Sequence, residues 1–356
     1  MYRTRLAARS FSTFSPAKTN YAFVGLGQMG QHMARHIYNK LEPNDKLYVN
    51  DSVPAATEAF VKNVTELNPA NKHQLRALPQ LSDLVTKVDE QLDFIITMVP
   101  EGRHVRSVVT ELLEHYQKSE TNFSAHKTTF IDSSTIDIPT SREVHEFVKK
   151  EVPNFDFIDA PVSGGVAGAR KASLSFMLSR PTKESMDADL VTLLNKMGAN
   201  LFPCGEKHGA GLAAKLSNNY LLAVTNLAVA DSFQLAKSFG LNLKDYAKLV
   251  SVSTGKCWAA VDNCPIPGTY PEDNLPADVG YKGGFVSKLT RKDLVLATAS
   301  AEYANRFLYL GEVSKHWYDK ACEREDLANR DLSVLFEWLG ELEKDKDGNI
   351  VEVRAK

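Results

Sequence analysis

The run Gly209-Ala-Gly-Leu-Ala-Ala-Lys215-Leu-Ser-Asn-Asn219 sets a single amine among small and apolar residues. A lysine so placed either reaches solvent or has a task, because burial disfavours its charged form and lowers its pKa toward values at which it exchanges protons near neutrality. Asn219 follows one helical turn later on the same face, where its amide can address the same substrate oxygen. A second constellation is Asp159-Ala-Pro-Val-Ser163-Gly164-Gly165, in which the Ser163 hydroxyl and the N–H groups of the glycines can form a nest for a substrate carboxylate. Ser163 lacks the G-x-S-x-G frame of a nucleophile elbow, which speaks against hydrolase chemistry. His32 and His36 have the spacing of a zinc-binding H-E-x-x-H helix, but Met33 stands where that motif needs its glutamate. Trp258, Tyr281 and Phe285 are candidates to wall a small substrate pocket.

The other end of the chain provides for a cofactor. In Tyr21-Ala-Phe-Val-Gly25-Leu26-Gly27-Gln28-Met29-Gly30 a β-like apolar run feeds three glycines at dinucleotide-binding spacing. Gly25 makes the strand-to-helix turn, Gly27 lets backbone N–H groups of the Leu26, Gln28 and Met29 loop approach a pyrophosphate, and Gly30 lets the helix pack closely on its strand. The helix N-terminus adds positive potential. The next strand, Lys46–Asn50, ends in Asp51, about twenty residues beyond Gly30, where a carboxylate holds the adenosine ribose hydroxyls and repels a 2′-phosphate. Ser52-Val-Pro-Ala-Ala56 offers no Arg or Lys to neutralise that phosphate, so the expected cofactor is NAD.

These residues require a parallel sheet to hold them. Further strands are expected at 94–97, 129–131 and 157–158, each ending near polar residues at the carboxyl edge, with a first helix over 31–40. The stretch 58–88 is polar, punctuated by Pro69 and Pro79, and carries no recognisable chemistry. From Gly209 to Phe239 the chain is rich in Ala and Leu without proline, long enough for about eight helical turns. The apolar tract from Tyr220 to Ala236 is broken by Thr225, Asn226, Asp231, Ser232 and Gln234 and reads as a core helix, not a membrane span. The expected fold is an α/β Rossmann-type N-terminal domain over 19–206, followed by an all-helical C-terminal domain over 207–356 for substrate and oligomer contacts.

At 356 residues with 43% hydrophobic content the chain suits two domains, and a net charge of −2 with interspersed signs gives no nucleic-acid surface. Cys204, Cys257, Cys264 and Cys322 show neither metal-ligand nor disulfide-framework spacing. The first eighteen residues contain Arg3, Arg5, Arg9 and Lys18, several Ser and Thr and no acid, the composition of a mitochondrial presequence, with processing expected near Ser12.

Taken together, Val24–Gly30, Phe94-Ile-Ile-Thr-Met-Val-Pro100, Ile131-Asp-Ser-Ser-Thr-Ile136, Asp159–Gly165, the Lys215/Asn219 helix and Lys292-Asp-Leu-Val-Leu-Ala297 resemble the β-hydroxyacid dehydrogenase family over about residues 21–335. Gly255-Lys-Cys-Trp258, Pro265-Ile-Pro-Gly268 and Lys282-Gly-Gly-Phe285 are similar to its hydroxyisobutyrate branch. The resemblance implies NAD-linked oxidation of 3-hydroxyisobutyrate to methylmalonate semialdehyde in valine breakdown in the mitochondrial matrix, by a homodimer or homotetramer. It implies Lys215 as acid/base, Asn219 orienting the hydroxyl, and Ser163, Gly164 and Gly165 on the carboxylate. Val99, Pro100, Thr135 and Lys292 would line the cofactor, joined by His104, which stands where the family commonly has Asn. The segment 63–81 and the tail 343–356 look longer than the family norm. The competing readings are another small hydroxyacid dehydrogenase or a semialdehyde or glyoxylate reductase of the family, and a non-catalytic NAD-binding scaffold.

Overall fold

The computed structural model describes residues 18–88, 91–118, 127–346 and 350–352. All of the expected presequence except Lys18 lies outside these residues. The first half alternates strand and helix: β1 Asn20–Val24, α1 Gly30–Asn39, β2 Lys46–Asn50, α2 Pro54–Leu67, β3 Leu75–Ala77, α3 Asp83–Thr86, β4 Phe94–Thr97, α4 Gly102–Lys118, β5 Thr128–Asp132, α5 Ile138–Glu151 and β6 Phe155–Asp159. The six strands form one parallel sheet in the order β3-β2-β1-β4-β5-β6. The chain runs outward from β1 to β3 and then returns to β4 on the other side of β1. The direction of winding therefore reverses between β1 and β4, which is where the crevice of a doubly wound sheet opens.

Both faces of the sheet are covered, so its strands are apolar nearly throughout rather than alternating. Phe23, Leu47, Ile96 and Ile131 face one core with Met33 and Ile37 of α1. Ala22, Ile95 and Phe130 face another with Val105, Val109 and Leu112 of α4. The stretch 58–88, which carries no recognisable chemistry, contains most of α2 and then the edge strand β3, whose three residues expose Arg76 and Ala77 and so lack a strand-like hydrophobic pattern.

A small mixed sheet follows, β7 Val162–Ser163, β8 Leu174–Leu178 and β9 Gly198–Pro203, with α6 Gly165–Lys171 and α7 Ala188–Met197 between its strands. Then comes α8, Ala210–Ser238, a single helix of 29 residues, close to the expected 209–239 span. Around its far end pack α9 Leu243–Val252, α10 Trp258–Val261, α11 Ser287–Tyr303, α12 Gly311–Cys322, α13 Glu325–Ala328 and α14 Leu335–Leu339, sharing one core. This half is helical apart from a terminal antiparallel pair, β10 Leu342–Lys344 and β11 Ile350–Glu352. Among the described residues no helix is long and apolar enough to cross a membrane.

Candidate active site

The three glycines after β1 each meet a different local demand. Gly25 has φ +97°, and a Cβ there would lie 2.4 Å from the Met98 carbonyl oxygen at the end of β4. A Cβ on Gly30 would lie 1.9 Å from the Gly25 carbonyl oxygen, so α1 starts in backbone contact with the turn that feeds it. Gly27 is exposed, and a Cβ there would meet nothing within 4 Å. The first and third glycines are thus demanded by the fold, while the second leaves open space above the N-terminus of α1. That space is what a pyrophosphate needs for close approach. Asp51 closes this end of the crevice: its Oδ2 accepts from Leu26 N at 2.6 Å and its Oδ1 from Val53 N at 2.8 Å. The carboxylate expected to meet the ribose therefore also holds the glycine loop against β2.

The next strand ends are stitched together. Thr97 Oγ1 donates to Asp132 Oδ1 at 2.8 Å, Ser134 N donates to the same oxygen at 3.1 Å, and Val99 N donates to Ser134 Oγ at 2.9 Å. Asp132 is fully buried, its Oδ2 has no hydrogen-bond partner among the described residues, and burial pushes its pKa up to about 6. Val99, Pro100 and Thr135 lie on the loops leaving β4 and β5, and His104 sits in the first turn of α4 with its Nδ1 buried and without a hydrogen-bond partner among the described residues. A buried ring nitrogen without a partner beside this crevice fits a site that receives a polar ligand.

The helical half closes over these loops through α11. Lys292 Nζ donates to the Thr135 carbonyl oxygen at 2.7 Å, joining the two halves. Its neighbour Asp293, 5% exposed, accepts from Asn219 Nδ2 at 2.5 Å. Lys215 is 8% exposed, so it does not reach solvent. Burial lowers its pKa and the nearby Lys292 adds to this, while the Asp293 carboxylate pulls the other way. Asp293 is itself pushed up by burial and held down by the two lysines and by the Asn219 amide. Lys215, Asn219, Lys292 and Asp293 are thus one polar cluster between α8 and α11. Asp293 was not singled out from the sequence: it lies 74 residues from Asn219, and only its place beside Lys292 could have drawn attention to it.

Two features fix α8 where it enters this cluster. Asp159, at the end of β6, accepts from Gly209 N at 2.8 Å and from Leu212 N at 2.9 Å, capping the helix. A Cβ on Gly211 would lie 2.2 Å from the Met177 carbonyl oxygen, so α8 leans directly on β8. Asp159 therefore ties the end of β6 to the start of α8. Ser163 is half-buried at the end of β7, and Gly164 and Gly165 are exposed with φ +125° and +58°. Of the candidate aromatic wall, Tyr281 is core, 2% exposed and donating to the Pro265 carbonyl, whereas Trp258 is 48% exposed and Phe285 partly buried.

Residues 20–205 match a family model described as the NAD binding domain of 6-phosphogluconate dehydrogenase. Residues 209–339 match the NAD-binding model of NADP-dependent 3-hydroxyisobutyrate dehydrogenase. A mitochondrial 3-hydroxyisobutyrate dehydrogenase of Drosophila melanogaster is 36% identical over 92% of this chain and 91% of its own length. The chain belongs to the 3-hydroxyisobutyrate dehydrogenase family. The human mitochondrial enzyme of that name is 34% identical over 96% of this chain and 94% of its own. Among solved structures, the Mycobacterium tuberculosis 3-hydroxyisobutyrate dehydrogenase with L-serine is 32% identical, with a TM-score of 0.76 over 91% of this chain and 99% of that one. This dehydrogenase is accordingly an NAD-dependent oxidoreductase acting on a CH–OH group, built as a Rossmann-type half followed by a helical half.

Proposed function

We propose that the chain oxidises the primary alcohol of 3-hydroxyisobutyrate with NAD, with Lys215 as the proton-transfer group. The observation that carries this is the burial of Lys215 in one cluster with Asn219, Asp293 and Lys292. Bound NAD supplies the acceptor for the hydride that leaves the carbinol carbon. Neutral Lys215 Nζ takes the hydroxyl proton, so the C–OH becomes C=O with no charge stranded on oxygen. Asn219 is held on Asp293 through one N–H, and its second donates to the hydroxyl oxygen and orients it. Ser163 with the Gly164 and Gly165 amides receives the carboxylate. That the tuberculosis relative holds L-serine, another β-hydroxy acid with its hydroxymethyl group on the α-carbon, supports this choice of substrate class.

Gly25, Leu26, Gly27, Gln28, Met29 and Gly30 cradle the pyrophosphate, Asp51 selects the unphosphorylated ribose, and Val99, Pro100, His104, Thr135 and Lys292 line the cofactor. The working domains are 19–206 for the cofactor and 207–356 for substrate and assembly. Exposed Phe239, Val252 and Tyr309 on the helical half support a homodimer or homotetramer. The basic, acid-free residues 1–18 and the mitochondrial relatives support delivery to the matrix, for a step of valine breakdown.

The test is initial-rate NADH or NADPH formation with 3-hydroxyisobutyrate beside 3-hydroxypropionate, 4-hydroxybutyrate, glycolate, L-serine and 6-phosphogluconate. Fast turnover of 3-hydroxyisobutyrate with NAD alone is expected. A different preferred acid would overturn the pocket assignment, and NAD binding without any turnover would favour the scaffold reading. Lys215→Ala should keep NAD affinity and lose roughly 10²–10⁴-fold in turnover, the usual scale of general acid–base catalysis.

A further inference from the structure

Away from the cofactor crevice, three side chains stand in the order serine, histidine, carboxylate. His208 Nε2 lies 3.0 Å from Ser141 Oγ on α5, and its Nδ1 lies 3.4 Å from Asp159 Oδ1 on β6. The arrangement has the outline of a hydrolytic triad, but Ser141 is fully buried in the first turn of α5 and cannot receive a substrate. A carboxylate can only accept, so with the ring neutral its proton sits on Nδ1 and Nε2 accepts from the Ser141 hydroxyl. The imidazole is further fixed by stacking on His145 of α5 at 4.3 Å and by Phe157 of β6 at 5.4 Å.

The same joint reaches both helices of the catalytic cluster. Asp159, which faces His208, caps α8 through Gly209 and Leu212. Arg142 donates to the His208 carbonyl oxygen at 3.0 Å, and its guanidinium lies 5.7 Å from the Tyr303 ring centroid at the end of α11. Lys215 stands on α8 only six residues beyond Gly209, and Asp293 stands on α11.

We infer that His208 is a positioning residue: through Ser141 and Asp159 it fixes the first turn of α8 and so the depth at which Lys215 is buried. Loosening the joint lets the start of α8 shift and admits water to Lys215, and the desolvation that lowers its pKa is relieved. The groups facing His208 are Asp159 from β6 and Ser141, Arg142 and His145 from α5; those acting on Lys215 are Lys292 and Asp293 from α11. The inference rests on Lys215 as the proton-transfer group, and the test separates the two.

The experiment compares pH profiles of kcat and kcat/KM for the full chain carrying His208→Phe, which keeps the stacking and loses both ring nitrogens, with those of His208→Gln, whose amide can still accept from Ser141. For the Phe variant we expect kcat to fall by about 10–100-fold, the scale of a misplaced catalytic group, and the acid limb of the oxidation profile to move to higher pH by about one unit. The Gln variant should recover most of both, with NAD affinity unchanged throughout. A Phe variant with wild-type kcat and acid limb overturns the inference. Should the Phe variant not fold, Ser141→Ala replaces it, and a wild-type limb in Ser141→Ala overturns the inference equally. Lys215→Ala is run alongside: normal turnover there removes the base itself, whereas an inactive Lys215→Ala beside a wild-type Phe variant removes the joint alone.

Discussion

At the scale of single residues, the site is governed by a balance of burial against neighbouring charge. Lys215 is driven toward its neutral form by burial and restrained by Asp293, so oxidation should quicken as pH rises through the lowered lysine pKa. Replacing Asp293 with Asn removes the restraint, and the acid limb of kcat should then move to lower pH. Turnover should also fall, by up to about 10²-fold, because Asn219 loses its anchor; a pH–rate series reads both effects. Asp51 holds Leu26 N, and the proposed function gives it the ribose as well, which bears on any change of cofactor. Asp51→Ser should lower the preference for NAD over NADP, measured as a ratio of kcat/KM values, and also weaken binding of both cofactors because the glycine loop loses its tie to β2. Lys215 and Asn219 could be read from the sequence because one helical turn separates them. Asp293 and the Ser141–His208 contact could not, since both join residues far apart in the chain and leave no local period.

At the scale of elements, apolar runs and glycine spacing proved the most readable signals. Strands β1 and β4 are fully buried, as is β2 beyond Lys46, and all three are bounded by polar or turn residues, so their limits are visible in composition. Edge strand β3 and the late strand β9 are short or largely exposed and offer no such run. The glycine turn makes a sharper prediction. Gly30→Ala would press a methyl into the Gly25 carbonyl, an overpacking that should cost about 1–3 kcal/mol in denaturant unfolding. Gly27→Ala meets no protein atom, so it should leave stability near wild type while weakening NAD binding by titration. Equal loss of stability in both variants would contradict the division of labour drawn for these glycines.

At the scale of the whole molecule, the joint at His208 ties stability to pH. Burial, with help from His145 and Arg142 and against the pull of Asp159, lowers its pKa from 6.5 to about 4. Between those values the unfolded chain takes up a proton that the folded chain refuses, so this residue's contribution to stability falls as pH drops through the window. Thermal melting from pH 7 to pH 4.5 should therefore show a steeper loss for the wild type than for His208→Gln, which cannot titrate. The family models divide the chain between residues 205 and 209, and in sequence that is a natural seam. In three dimensions it separates Asp159 from the helix end that it caps and Met177 from the glycine it presses against. Each half therefore carries one side of a contact whose other side is inherited with its neighbour. Chimaeras spliced at this seam between divergent relatives should lose turnover before they lose either fold, and drift on one side of the seam has to be answered by drift on the other.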